Sequence, residues 1–521
     1  MSNKIRIGSR GSDLALWQAH FFQDQLQLID VESEIIIIKT TGDKIQHMSF
    51  DKIEGKGFFT KEIEDSLLRD EIDIAIHSHK DLETSNPPGL TVAGVSYRED
   101  PSELLLIRKE MVDKSQFLNF KQGAVIGTSS ARRKAQITAM RPDIIIKDIR
   151  GNVPTRINKL RSGDFDAILL AHAGVHRLEL DLSDLQVEKL DPRLFIPAPA
   201  QGVLAFQCRK DDHKTISVVK QLAHTDVANA IAIERGILSG FGGGCHIPIG
   251  VYASPHTDGF SVWATYGKEW EKFPARVRFE AKGREDALAT FDALKNGALP
   301  SHVFISRDIG PEDYFSRACA ALDVKLTAQS LIETSNLSFE ANPDAYDWVV
   351  FSSSTGVRSF FATQPKEKWL DKKFAVAGDS TASALAQEGI EAAFIGRGSA
   401  MDEVSAALAQ SIGKESALFP SAHRSLASLQ QSLDPAQCTT VTCYTTSPVH
   451  RVLETCDAYV FTSPSNVESF HAAGNRIAEG NKVVAIGPST GSALQKLGVA
   501  YVCASIPSEP ELFALLAVQN G

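Results

Sequence analysis

The chain has 521 residues, too many for a single hydrophobic core, so we expect several domains. Its net charge of −10 and hydrophobic content of 43% are typical of a globular protein and argue against a general attraction to nucleic acid or to an anionic membrane. The seven cysteines are scattered and form no CxxC pair, which favours a reducing compartment over a disulfide framework or a zinc site. With no signal-peptide pattern and no apolar run of about 18 residues, we expect a cytoplasmic protein without a metal.

Strands and helices alternate along the first third of the chain. Ser12 or Asp13 is the predicted N-cap of the first helix. The alternation predicts an α/β fold with largely parallel sheets, in which ligands bind at the carboxyl ends of the strands. The strands are predicted over residues 5–7, 34–40, 72–76, 124–126, 144–146 and 167–170, and the helices over 14–28, from 131 and from about 154.

Basic residues follow these strand ends repeatedly. Residues 121–161 contain ten Lys or Arg and two Asp, a net charge of +8 in an acidic protein. Because a guanidinium group matches a carboxylate and helix N-termini favour anions, the pattern indicates an anion site. A solvated basic face or a phosphate-binding surface remains an alternative, while the scarcity of interleaved aromatics disfavours nucleic acid. The arginines are Arg10, Arg132, Arg133, Arg150, Arg156 and Arg177.

Two features beside this site each have two interpretations. Asp81 follows the apolar strand pattern at 72–76, and it either neutralises the arginines or takes part in chemistry. The glycine-containing segment 43–60 is either a mobile lid over the strand ends or an ordinary surface loop.

A glycine-rich stretch presents one cysteine. Three consecutive glycines, 242–244, precede Cys245, and Pro248 stiffens the exit from the turn. The cysteine is either a small buried hydrophobe or a thiol presented for a covalent bond.

Seven motifs in order carry a resemblance over residues 1 to about 298. They are SRGSDLALWQAH (9–20), EGKGFFTKE (54–62), IAIHSHKDL (74–82), GTSSARRKAQ (127–136), IRGNVPTR (149–156), APAQGVLAFQCR (198–209) and GGGCHIPIG (242–250). The series closely resembles hydroxymethylbilane synthase, also called porphobilinogen deaminase. The resemblance implies two periplasmic-binding-protein-like lobes, about 1–99 with 197–221 and about 100–196, and a small α/β domain, about 222–298.

The resemblance also implies a chemistry. A dipyrromethane cofactor would be attached to Cys245 by a thioether, and four porphobilinogen molecules would be condensed on it head to tail, with release of ammonia, to give hydroxymethylbilane. Asp81 would be the catalytic carboxylate, stabilising positive charge on a pyrrole nitrogen and passing a proton. The cofactor would be held by Cys245, Lys80, Asp81, Thr128, Ser129, Arg132, Arg133 and Arg156. Porphobilinogen would be bound by Arg10, Ser12, Arg150, Arg177 and Gln201.

The chain departs from the usual pattern beside the catalytic pair. His79 stands where the family usually has methionine, and Leu82-Glu83 where it usually has Val-Pro. We expect His79 to pack in the core, with a proton shuttle as the alternative.

The second half contains a weak internal repeat. The segment 348–354 is echoed by 458–464, and 375–389 by 485–498. This arrangement resembles uroporphyrinogen-III synthase over about 300–521, which implies two Rossmann- or flavodoxin-like lobes, about 300–331 with 446–521 and about 335–442, on a two-stranded linker. Its reaction closes the linear tetrapyrrole with inversion of ring D to uroporphyrinogen III. Substrate would be held by backbone N–H groups and by Thr381, Ser463 and Thr490, with no catalytic residue assigned.

Two other functions remain open. The first half could be a non-catalytic anion receptor of binding-protein type, or an active deaminase could carry a degenerate C-terminal interaction module. We expect a monomer whose partners are small molecules. Fusion would raise the effective concentration of the synthase near an unstable product.

Overall fold

The computed structural model describes residues 4–40, 60–242, 247–396, 401–423 and 428–517, which form a mixed α/β molecule with five sheets. In the first half the strands are β1 (Ile5–Ser9), β2 (Ser33–Ile37), β3 (Ile74–Ser78), β4 (Leu90–Val95), β5 (Glu103–Arg108), β6 (Val125–Gly127), β7 (Ile145–Lys147), β8 (Ala167–Ala171), β9 (Leu185–Leu190), β10 (Leu204–Arg209), β11 (Gly250–His256), β12 (Gly259–Tyr266) and β13 (Ala275–Ala281). The helices are α1 (Asp13–Gln27), α2 (Lys61–Leu68), α3 (Ala131–Met140), α4 (Val153–Arg161), α5 (His172–His176), α6 (His213–Leu222), α7 (Thr225–Ser239) and α8 (Arg284–Asn296).

Two five-stranded sheets of the first half have the same plan. The first has the order β2-β1-β3-β10-β4 and the second the order β7-β6-β8-β5-β9. In each, three strands are parallel and the remaining two pair antiparallel. The prediction of largely parallel sheets is therefore wrong for the pairings of β10 and β5, each of which runs antiparallel to both of its neighbours. Alternating strands and helices predict parallel neighbours, but the pattern does not reveal strands that join a sheet without a crossover helix.

A third, smaller sheet follows. Strands β11, β12 and β13 form an antiparallel meander. Helices α7 and α8 cover it through an apolar cluster that includes Ile233, Val251, Phe279 and Phe291.

Local sequence explains several boundaries of these elements. Ser12 is the N-cap of α1, as predicted, although its side chain makes no capping hydrogen bond. Asn152 caps α4 by accepting from the Thr155 N–H, and Asp212 caps α6 in the same way.

The second half contains two further sheets. Its strands are β14 (His302–Ile305), β15 (Lys325–Ala328), β16 (Ile332–Asn336), β17 (Trp348–Phe351), β18 (Lys373–Val376), β19 (Phe394–Ile395), β20 (Ala417–Ala422), β21 (Cys438–Pro448), β22 (Ala458–Phe461), β23 (Lys482–Ala485) and β24 (Val502–Cys503). Its helices are α9 (Tyr314–Ala321), α10 (Ser354–Thr363), α11 (Asp379–Gln387), α12 (Met401–Ile412), α13 (Pro464–Ala472), α14 (Pro488–Lys496) and α15 (Glu509–Ala514).

These two sheets are parallel apart from one pairing. One has the order β15-β14-β22-β23-β24 and the other the order β16-β21-β20-β17-β18-β19. The exception is the antiparallel pair of β16 and β21, in which Ile332 lies opposite Pro448. The repeated segments correspond to β17–α10 and β22–α13, and to β18–α11 and β23–α14. Among the described residues, no helix is long and apolar enough to cross a bilayer.

Candidate functional site

The carboxyl ends of β1 and β3 form one wall of a cleft. These strands are parallel neighbours, so the residues that follow them lie side by side. The cleft is lined by Arg10, Ser12, Thr60, His77 and Asp81. The structure therefore brings Arg10, Ser12 and Asp81 together, and the Asp81 carboxylate is exposed to solvent.

A second group of cations, Arg132 and Arg133, lies beside the second sheet. Arg132 and Arg133 begin α3 and are both buried. Arg132 donates to Glu103 Oε1 at 2.6 Å and Arg133 to Glu103 Oε2 at 2.7 Å. Each guanidinium also donates to a backbone carbonyl, that of Ile196 or of Leu169. One carboxylate thus orients two adjacent arginines in the first turn of α3.

Glu103 is the residue that sequence reasoning missed. Its side chain is fully buried at the start of β5. Burial alone would raise the Glu103 pKa, but the charges of Arg133 and Arg132 outweigh burial and hold that pKa at about 2. An acid heading an otherwise apolar strand is the available sequence signal, because a buried charge requires a partner.

Lys80 lies between the cleft that contains Asp81 and the arginine pair, Arg132 and Arg133. Its Nζ donates to Gln201 Oε1 at 3.1 Å, and Gln201 Nε2 donates to the Pro101 carbonyl at 2.8 Å. Burial lowers the pKa of Lys80 to about 8, with opposing contributions from the charges of Asp81 and Arg133. Lys80, from the first sheet, therefore lies within electrostatic range of the arginines of the second.

The backbone beside Gln201 requires glycine. Gly202 has a φ of +88°, and a Cβ added there would lie 2.2 Å from the Glu99 carbonyl oxygen. This close approach holds together the two segments that cross between the sheets. The Gly202 carbonyl also accepts from Arg177 Nη2 at 2.8 Å, so Arg177 is anchored to the same crossing.

Arg177 and Arg156 are two further predicted ligands in the first half. The Arg177 guanidinium lies 5.3 Å from the ring centroid of Trp17, and burial lowers its pKa. Arg156 Nε donates to the Gly151 carbonyl at 2.8 Å. Burial, followed by the charges of Arg133 and Arg150, lowers the pKa of Arg156 to about 10, and Asp81 acts in the opposite direction. Arg133, Arg150, Arg156 and Asp81 thus influence one another.

The predicted hydroxyl ligands make hydrogen bonds within the protein. Ser129 Oγ donates to the Ile149 carbonyl at 2.9 Å and accepts from the Ile149 N–H at 3.0 Å. Thr128 Oγ1 accepts from the Ser130 N–H at 3.3 Å. These bonds fix the turn before α3. Their role toward a ligand stays a prediction.

Not every cation of the basic stretch contributes to this region. Lys134 pairs with Asp148 at 2.7 Å, Arg141 with Asp143 at 2.7 Å, and Arg161 with Asp184 at 2.7 Å. Lys134 and Arg141 are buried, so of these three cations Arg161 alone fits the alternative of a solvated basic face.

Two predictions lie outside the described residues. Cys245 belongs to the gap at 243–246, and the proposed lid, apart from Thr60, belongs to the gap at 41–59.

His79 is buried, and burial lowers its pKa to about 3.

In the second half the predicted residues stand at helix starts. Ser463 caps α13 by accepting from the N–H of Asn466 at 3.2 Å, and Ser353 caps α10 in the repeated unit. Thr381 and Thr490 are buried in the first turns of α11 and α14. Within the described parts of the chain, the Thr490 hydroxyl has no hydrogen-bond partner. Thr381 lies beside one sheet, whereas Ser463 and Thr490 lie beside the other.

Two neighbouring α/β sheets with buried cations near an exposed carboxylate are typical of a protein that binds acidic small molecules. A family model described as "Porphobilinogen deaminase, dipyromethane cofactor binding domain" matches residues 5–217, and one described as "Uroporphyrinogen-III synthase HemD" matches residues 313–517.

Curated relatives agree with the first match. A porphobilinogen deaminase of Trichlorobacter lovleyi is 44% identical over 296 residues, 56% of this chain and 90% of that protein. One from Fusobacterium nucleatum is 40% identical over 57% of this chain and 99% of that protein. The chain belongs to the porphobilinogen deaminase family, and both predicted resemblances are confirmed.

Solved structures give a further likeness. The uroporphyrinogen-III synthetase of Helicobacter pylori 26695 aligns with 41% of this chain and 97% of that chain at 21% identity. The TM-score of this alignment is 0.33.

Proposed function

We propose that the chain performs two consecutive reactions of haem biosynthesis. The first half condenses four porphobilinogen molecules head to tail to hydroxymethylbilane with release of ammonia, and the second closes this product to uroporphyrinogen III with inversion of ring D. The chain is a hydroxymethylbilane synthase fused to a uroporphyrinogen-III synthase. The observation that carries the first activity is the convergence of Lys80 and Asp81 from one lobe with Arg133 and Arg156 from the other.

The side chains fit a dipyrromethane cofactor, whose rings carry acetate and propionate groups. Among the described residues, the buried Nε atoms of Arg133 and Arg177 lack a hydrogen-bond partner and are therefore available to an acidic ligand. Cys245 would hold the cofactor covalently. Lys80, Thr128, Ser129, Arg132, Arg133 and Arg156 would hold its carboxylates. When bound, the group supplies the pyrrole carbon from which the chain grows.

Asp81 is the proposed catalytic residue. Loss of ammonia from porphobilinogen leaves positive charge on the pyrrole nitrogen, and a nearby carboxylate stabilises that charge. The charge of Asp81 acts on both Lys80 and Arg156, so this carboxylate lies among the cations that would hold the acidic rings. Arg10, Ser12, Arg150, Arg177 and Gln201 would bind the carboxylates of the incoming substrate.

The strand connections support the proposed domains. We assign lobe 1 to about 1–99 with 197–221, lobe 2 to about 100–196 and domain 3 to about 222–298. The return of β10 to the first sheet supports the first assignment. We divide the synthase into about 300–331 with 446–521 and about 335–442, joined by β16 and β21.

The proposal also includes a cellular compartment and an oligomeric state. Scattered cysteines support the reducing cytoplasm, where a thioether, unlike a disulfide, is stable to reductants. A monomer suffices because each half carries its own proposed site.

The second activity is proposed without a catalytic side chain. Thr381, Ser463 and Thr490 at helix starts, together with backbone N–H groups, would bind the carboxylates of hydroxymethylbilane.

The deciding experiment supplies porphobilinogen to the purified chain and separates the uroporphyrinogen isomers by chromatography. We expect predominantly isomer III. Isomer I alone would show that the second half is an inactive module, and absence of both isomers would contradict the first activity as well.

A further inference from the structure

The last described helix of the chain is buried on all sides. Every residue from Pro510 to Leu516 is buried, including the charged Glu511. A helix without an exposed face is characteristic of a segment enclosed between two bodies. Here α15 packs against α9 of the second half on one side and against β13 of the first half on the other.

Glu511 makes a specific connection across the two halves. Its Oε2 accepts from the indole Nε1 of Trp263, on β12, at 3.0 Å. Its Oε1 accepts from Ser505 Oγ at 2.7 Å and lies 4.0 Å from the Arg278 guanidinium on β13. The carboxylate has no exposed surface. A fully buried charge of this kind requires all its partners in place.

Apolar and polar contacts extend the connection. The rings of Phe273 and Tyr314 meet edge to face at 5.0 Å, and the Arg317 guanidinium lies 5.8 Å from the Phe273 ring. Arg317 also donates to the carbonyl of Ala139, in the second lobe of the first half. One continuous apolar cluster includes Leu105 and Phe195 from the first half and Phe513 from the second.

We infer that the two halves form one rigid body, in which α15 of the synthase half is a permanent part of the β11–β13 sheet's packing. The partner of this sheet face is α15 of the same chain. The domain that carries Cys245 is consequently fixed to the synthase half. This inference rests on the interface alone and does not depend on either proposed activity.

A cleavable full-length chain tests the inference. A protease site is inserted at the exposed Ala298, just after α8, and the purified protein is cut under native conditions and passed through a sizing column at micromolar concentration. We expect both fragments to elute together at the mass of the uncut chain. Separation of the cut fragments of the otherwise unaltered chain would overturn the inference.

Matched variants test whether the Glu511 carboxylate stabilises the contact between the two halves. Glu511→Gln and Trp263→Phe should each raise the dissociation constant of the cut fragments about tenfold or more, because each disrupts a buried, charge-assisted hydrogen bond. Glu509→Gln is the control for the first variant, since the Glu509 carboxylate bonds to Arg307 and the Phe315 N–H within its own half. Trp270→Phe is the control for the second, since Lys134, also of the first half, lies over the Trp270 ring. Equal effects in variant and control would contradict the role of α15.

Discussion

The two halves prepare their sites in different ways. In the first, Lys80 follows a strand of one sheet and lies within electrostatic range of Arg132 and Arg133 beside another sheet, and a buried carboxylate, Glu103, holds both arginines in position. In the second, the proposed groups are hydroxyls at the starts of helices, and Ser463 already serves as a helix cap. In the proposed function, the first half therefore binds its growing acidic product through side-chain charge, and the second half binds one flexible substrate through backbone donors. The difference predicts large effects of substitution in the first half and small ones in the second.

The largest effect is expected at Asp81. Asp81→Ala should lower kcat by about 10²–10⁴-fold, because a positioned acid–base group contributes that much. The measurement is the steady-state rate of porphobilinogen consumption. Glu83→Ala, which removes an exposed acid two residues away, should stay near the native rate. Comparable losses in both variants would mean that only local charge matters at this position.

Glu103→Gln should weaken the fold as well as the site. Removing one partner of a buried ion pair costs about 3–5 kcal/mol, which denaturant unfolding measures. Glu110→Gln, at an exposed pair with Arg108, should change the free energy of unfolding by less than about 1 kcal/mol.

Glu103 should also make the free energy of unfolding depend on pH. The folded pKa of Glu103, about 2, lies below its ordinary value of 4.5, so its contribution to stability is complete above pH 4.5 and is lost as the pH falls toward 2. Glu103→Gln should flatten the stability profile in that window. An unchanged profile would show that other carboxylates account for the acid sensitivity.

The pKa of Lys80 predicts an upper pH limit for cofactor assembly. Its pKa of about 8 means that its positive charge is lost as the pH rises through that value. In protein purified without the cofactor, the rate of cofactor assembly should fall by up to about tenfold per pH unit above 8. Lys80→Arg should assemble the cofactor with a flat profile, because arginine stays protonated. A native profile that is flat from pH 7 to 9 would exclude this role of the lysine.

The smallest effect is expected at Ser463. Both Ser463→Ala and Ser353→Ala remove a helix cap and should lower the free energy of unfolding by about 1 kcal/mol. If Ser463 also binds substrate, only Ser463→Ala should raise the KM for hydroxymethylbilane. Equal KM values in the two variants would limit Ser463 to its structural role.

Much of the first site could be predicted from sequence, because polar residues after parallel strands meet at one sheet edge. That reasoning located Arg10, Asp81 and Arg132 at strand ends, where the structure places them. It could not supply Glu103, whose contact with Arg132 spans 29 residues and depends on the antiparallel insertion of β5. Periodicity reports which face of a strand is buried, not the direction of its neighbour.

The second half was less predictable for a physical reason. Backbone donors leave no residue-type signature, so hydroxyls such as Thr490 were the available guide. The burial of α15 also had a signal, the apolar run at 512–516, but its partner, the β12–β13 face, lies more than 200 residues away along the chain and no local pattern links the two.

The intact mass of the denatured protein tests the central claim most directly. The native chain should exceed its sequence mass by two linked pyrrole units. Cys245→Ala should have the sequence mass and no deaminase activity. A native chain with full activity and an unmodified Cys245 thiol would contradict the account.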